Sequence, residues 1–155
     1  MINKKIKIEA TLLTLLLVIG IALTRSLTSV KANPDGGTTL YVDPDYVSES
    51  VGATFTIDVK ISNVTDFFGL DVQFGWDPTI IQYVSHTAKI PVETYPDGIM
   101  HQPPAGIWVH NDVDETASMP GAEPGTMYWL AYASMAGATP FDGDGTVFNM
   151  TFEVV

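Results

Sequence analysis

Leu70-Asp71-Val72-Gln73-Phe74-Gly75-Trp76-Asp77-Pro78, followed by Ile80-Ile81, is the stretch that decides the fold. In an extended chain successive side chains point to opposite faces. Leu70, Val72, Phe74 and Trp76 therefore share one side, and Asp71, Gln73 and Gly75 the other. Asp77-Pro78 then stops the ladder, since proline has no amide hydrogen to donate. One apolar side and one polar side, closed by a turn, predict a sandwich strand that buries one face and leaves the other free to bind.

Working outward, Phe55, Ile57, Val59 and Ile61 alternate with Thr56, Asp58, Lys60 and Ser62, a period of two that no amphipathic helix shows. A slip of one residue would bury Asp58 and Lys60, so the register is strongly specified. Leu40-Tyr41-Val42 reads as a first strand ended by Asp43-Pro44, Val51-Gly52 as a turn, and Asn63-Val64-Thr65-Asp66 as a connection. Ile80 to Val84 fits either a short strand or one helical turn. From Pro91 to Pro124 the reading is loop, short strand at Ile107-Trp108-Val109, and loop. Met127, Trp129, Ala131 and Ala133 alternate with Tyr128, Leu130, Tyr132 and Ser134; both sides are largely apolar, which suits a central strand. Phe141-Asp142-Gly143-Asp144-Gly145 reads as a tight turn before a final strand over 146–155. The expected class is all-β, a two-sheet antiparallel β-sandwich, with Trp76, Trp108 and Trp129 as core or inter-sheet packing.

The first 32 residues differ from the rest. Lys4, Lys5 and Lys7 precede an apolar run from Ala10 to Leu23, and Val30-Lys31-Ala32 supplies the small residues a signal peptidase reads. Residues 1–32 are thus expected to be a signal peptide cleaved after Ala32, with an uncleaved N-terminal anchor as the alternative. Either way the folded part lies outside the cytoplasm, secreted or at the cell surface. Residues 33–38 form a Pro- and Gly-containing lead-in, and 39–155 the domain.

Beyond Ala32 only Lys60 and Lys89 oppose 17 acidic side chains, a net charge of −15. Such a field repels phosphate backbones and anionic lipid heads, which argues against nucleic acid and against membrane binding once the leader is gone. With no cysteine, packing alone must hold the domain together. No serine sits in a Gly-x-Ser-x-Gly turn, and no carboxylate stands in the apolar setting that makes a general acid. An enzyme is not expected, and no catalytic residue is assigned. His110-Asn111-Asp112-Val113-Asp114-Glu115 gathers oxygen donors as calcium requires but lacks the glycine and closing Glu of an EF-hand loop, and Asp142-Gly143-Asp144 is shorter still. Solvated turns are the simpler reading of both, so no metal ligand or cofactor is assigned and calcium is the one cation left open. Asn63-Val64-Thr65 and Asn149-Met150-Thr151 are sequons, making Asn63 and Asn149 possible glycosylation sites.

Leu40-Tyr41-Val42-Asp43-Pro44, Val51-Gly52-Ala53-Thr54-Phe55-Thr56-Ile57-Asp58-Val59, Ile61-Ser62-Asn63-Val64-Thr65-Asp66, Phe68 to Phe74, Trp76-Asp77-Pro78, Gly143 to Val147 and Met150 to Val154 occur in an order that resembles a cohesin domain. The likeness spans nearly all of the chain after the leader and rests on the succession of motifs. It implies a nine-stranded jelly roll akin to carbohydrate-binding modules, without enzymatic activity. It also implies a partner, the dockerin, a small calcium-loaded helical module gripped by one flat sheet face. Asp71 and Gln73 stand where the family places polar contacts, and Ser134, read as outward on its strand, is similar in placement to another. Gly69 departs from the family, which often has a polar side chain there. Cohesins also continue past the strand matching 148–155, so the C-terminal strands that complete the sandwich are expected to be missing from this sequence or replaced by strand addition from another chain.

Three readings follow: a cohesin-type module binding dockerin-like partners in polysaccharide degradation or surface assembly, a carbohydrate-binding module, and a subunit of a surface layer or filament. The second would use rings such as Tyr128 and Tyr132, with Tyr41, Tyr46 and Tyr95, to stack on a polysaccharide.

Overall fold

The computed structural model describes residues 36–114 and 125–155, and every regular element in them is a strand. In chain order these are β1 (Thr39–Asp43), β2 (Thr54–Phe67), β3 (Gly69–Gly75), β4 (Ile81–Ala88), β5 (Gly106–Val113), β6 (Met127–Ser134) and β7 (Phe141–Val154). They form two antiparallel sheets, one ordered β1-β2-β7-β4 and the other β3-β6-β5. The expected leader, residues 33–35 of the lead-in, and Glu115 lie outside the described residues.

The core is the meeting of the two inner faces. Ile57, Val59 and Ile61 of β2 and Phe148, Met150 and Phe152 of β7 meet Tyr128, Leu130 and Tyr132 of β6, all buried, with Leu70, Val72 and Phe74 of β3 packed against them. Phe74 and Tyr128 each set a ring edge-on to Phe148, at 5.8 and 4.9 Å between centroids. Trp76 stacks on Tyr83 at 6.0 Å and meets Phe152 edge-on at 5.3 Å, as expected of an inward anchor. Rings in such offset geometries add to what burial alone contributes.

Two connections expected from the sequence are strand instead, and they pair with each other. β2 runs through Asn63-Val64-Thr65-Asp66, and β7 begins at Phe141, so that Val64 faces Gly143 and Phe67 faces Phe141 across irregular register. The backbone absorbs the bulges at Asn63 (φ 55°), Asp66 (φ 52°) and Gly143 (φ 111°). The carboxylates of Asp144 and Asp142 accept the amide hydrogens of Asn63 and Asp66, both at 2.8 Å. Turn-forming residues thus serve as bulge residues, and Val64 between them is 3% exposed.

Residues 81–88 resolve into strand β4, preceded by a turn in which Asp77 Oδ1 accepts from both the amide and the hydroxyl of Thr79. Those bonds hold the Asp77 carboxyl below its usual range. At the opposite edge, Leu40 and Val42 pair with the inward residues Ile61 and Val59, yet remain 46% and 36% exposed because the facing sheet has one strand fewer.

Candidate functional site

The outer face of the β3-β6-β5 sheet carries the residues singled out at Asp71 and Gln73. Directly paired residues in antiparallel strands share a face. Gln73 pairs with Trp129 and Trp129 with Asp112, so one row across the sheet reads Gln73, Trp129, Asp112. The next reads Asp71, Ala131, His110, and a third Gly69, Ala133, Ile107.

Within this patch the side chains are ordered by one another. The Trp129 indole Nε1–H donates to Asp71 Oδ1 at 2.7 Å, and its ring stacks on His110 at 3.5 Å and 15° between planes. His110 Nδ1 lies 3.8 Å from Asp112 Oδ1. Ala131, in the midst of these groups, is 5% exposed, while Ile107 and Val109 remain 49% and 60% exposed along β5. The result is a rigid aromatic pair flanked by exposed apolar side chains and two carboxylates, with small residues Gly69 and Gly75 toward β3. No Lys or Arg occurs in any of these three strands. Fixed aromatic rings beside exposed apolar and acidic side chains are features that protein-recognition surfaces share.

Several sequence-based placements change. Ser134 is not outward: it has the same parity as the buried Tyr128, Leu130 and Tyr132, and its hydroxyl donates to the His101 carbonyl at 2.8 Å. Its role is to tie β6 to the segment after β4. Tyr128 and Tyr132 are 0% and 3% exposed, so neither ring can stack on a polysaccharide. Burial raises the pKa of both phenols. Trp129 is not a core residue, because its register puts it on the outer face; Trp108 pairs with Tyr132 on the inner side but is still 41% exposed at the sheet edge. Residues 110–113, read as an oxygen-rich loop, belong to β5. Strand alternation sends His110 and Asp112 outward and Asn111 inward, where its Oδ1 accepts from Tyr128 Oη at 2.6 Å, so the donors diverge. Among the described residues no group of three His, Cys, Asp or Glu side chains could hold a metal ion, and no helix is long and apolar enough to cross a membrane.

A family model described as the cohesin domain matches residues 40–155, which takes in all seven strands. The chain belongs to the cohesin family. That is a family of protein-binding sandwich domains rather than enzymes, as the order of motifs implied. Among solved structures, an N-terminal interface mutant of a type II cohesin–X-dockerin complex from Acetivibrio cellulolyticus is similar at a TM-score of 0.43 and 18% identity, covering 76% of this chain and 70% of that one. No curated protein matches the chain.

Proposed function

We infer that this cohesin is the receptor half of an exported adhesive pair, and that it captures a dockerin-like module on the outer face of β3-β6-β5. The observation carrying this reading is the Asp71–Trp129–His110 assembly: an indole fixed by one hydrogen bond and one stacked ring on the outer face of the sheet. Pre-ordering matters because an anchor that is already immobile loses little entropy when a partner covers it. Asp71 and Gln73 contribute to this face, and Ser134 only supports it from beneath. The acidic domain would speed the approach of a partner whose contact surface is basic or calcium-bearing.

Export is supported by the basic, apolar and small-residue succession over 1–32. A place in a polysaccharide-degrading or surface assembly is the setting in which such a pair would act. Of the two sequons, Asn63 is exposed at a bulge of the other sheet, whereas Asn149 pairs with Asp58 and Thr87 in a central strand. A glycan on Asn63 would leave the proposed face clear.

Isothermal titration of the domain against a panel of calcium-loaded dockerin modules tests the reading. Saturable one-to-one binding to at least one member supports it. No binding across type I and type II dockerins would overturn it. Self-association is the second reading, motivated by the exposed inward residues Leu40 and Val42 beside a sheet edge. Sedimentation over a wide concentration range separates the two.

A further inference from the structure

A second candidate site lies away from that face, in the gap between the two sheets where β4 and β5 are both edge strands. A cleft of about 260 Å³ opens there, lined by residues 86–88, Ile90, Tyr95, Trp108 and Asn111. Trp108 is the unusual member. Its register partner Tyr132 is buried, yet Trp108 on the same inner side keeps 41% of its surface exposed at the sheet edge, where it lines the cleft together with residues 86–88 of β4. The ring is nevertheless fixed, set edge-on to Tyr132 at 4.9 Å. A bulge between Trp108 and His110 marks the place where β5 is re-aimed.

Polar groups surround this ring. Asn111 is exposed while its Oδ1 is held by Tyr128 Oη, which fixes the amide. His86 is oriented by Tyr83 Oη at 2.8 Å from its Nδ1 and packs on Tyr128 at 4.3 Å between centroids. Tyr95 sits under the ammonium of Lys89, 5.4 Å from its ring centroid, and that charge is paired with Asp97 at 3.4 Å. Among the described residues no unpaired charge lines the cleft. A ligand suited to it has one apolar face for the indole, hydroxyls at its edges for the Asn111 amide and the Tyr95 phenol, and no net charge; His86 is already held by Tyr83 and Asn111.

We propose that this cleft binds one neutral pyranose unit, such as the terminal sugar of a polysaccharide or glycan, by stacking on Trp108. The volume falls below the roughly 300–1,000 Å³ of drug-sized pockets, which suits one ring rather than an oligosaccharide chain. The site is independent of the proposed dockerin face: Trp108 belongs to the inner side of β5 and Trp129 to the outer side of β6. A cohesin carrying it would hold its partner and touch glycan at the same time.

The test is saturation-transfer NMR and indole fluorescence of the whole domain with glucose, galactose, mannose, xylose and N-acetylglucosamine, each up to about 50 mM, a span that covers weak single-ring binding. At least one sugar should saturate with millimolar affinity. Trp108→Ala should weaken it at least about tenfold, as expected when a stacking ring is lost. Tyr95→Phe should weaken it by a smaller factor with the melting temperature unchanged, which guards against a folding defect in the first variant. Trp129→Ala should leave sugar binding intact, and Trp108→Ala should leave dockerin capture intact, so the two sites stand or fall separately. No response to any sugar, retention of binding by Trp108→Ala, or saturation by phenol or tryptophanamide in place of sugars would overturn the proposal.

Discussion

The two outer faces of the sandwich are made by the same alternation and differ in what their side chains do. On β1-β2-β7-β4 the outward groups bind one another. Thr56 and Thr151 share a hydroxyl–hydroxyl bond of 2.8 Å, Lys60 pairs with Asp43 and lies 3.9 Å from Asp58, and Asp58 stands opposite Asn149. On β3-β6-β5 the outward groups are an indole, an imidazole, exposed aliphatic side chains and two carboxylates, with no Lys or Arg among them. Satisfied polar ladders gain little from a partner, whereas a fixed aromatic anchor with bare apolar neighbours gains desolvation that water denies it. The difference is the ground for proposing the smaller sheet as the recognition face.

The largest expected effect comes from removing the anchor. Trp129→Ala should lower dockerin affinity at least about thirtyfold, the scale of an interface hot spot, and calorimetric titration measures it. The matched change on the other face, Lys60→Ala, should shift affinity by less than about twofold, because exposed ion pairs contribute little. Comparable losses from both would erase the distinction between the faces.

Asp71 sharpens it further. Asp71→Ala removes the acceptor that orients the indole and should cost about tenfold in affinity, in line with a hydrogen bond to a charged group. Asp71→Asn keeps an oxygen in place and should recover most of that loss. Equal losses in both variants would mean that the partner reads the carboxylate charge directly.

How far the sequence disclosed all this depends on the region. Phe55 to Ile61 and Leu70 to Trp76 were legible because apolar and polar residues alternate without interruption there, and both strands occur with the expected sides inward. The segments 63–66 and 141–145 were not: Asn, Asp and Gly suit turns and bulges equally, and only their pairing across β2 and β7 tells which. On β6 both sides are apolar, so parity alone does not say whether Tyr128 or Trp129 faces the core, and Ser134, which shares the Tyr128 side, turns inward with it. The bulge at Val109 similarly hid that His110 shares a row with Asp71. On the candidate face, the outward placement of Asp71 and Gln73 is readable from alternation, while the aromatic pair is concealed by local irregularity.

A smaller effect separates the interior from either face. His86 is partly buried beneath Tyr128, and desolvation lowers its pKa below the ordinary value despite a hydrogen bond with Asn111. The unfolded chain then binds the proton more readily than the folded one. Stability from this group is complete above about pH 6.5, the unperturbed histidine value, and declines as pH falls through that value toward the lower folded pKa. Thermal melts from pH 7.5 to 5 should show a decline that His86→Phe reduces. An identical slope in that variant would remove His86 as its source.

The smallest expected change is at the bulges. Asp142→Ala leaves the Asp66 amide to water and should lower the melting temperature by a few degrees at most without altering dockerin affinity. A change in affinity would extend the recognition surface onto the larger sheet.

The most direct test is backbone amide NMR of the domain with and without a saturating calcium-loaded dockerin. Perturbation concentrated in Gly69–Gly75, Ile107–Asp112 and Met127–Ala133 is the predicted result. Perturbation concentrated instead in Thr54–Lys60 and Asn149–Glu153 would contradict it.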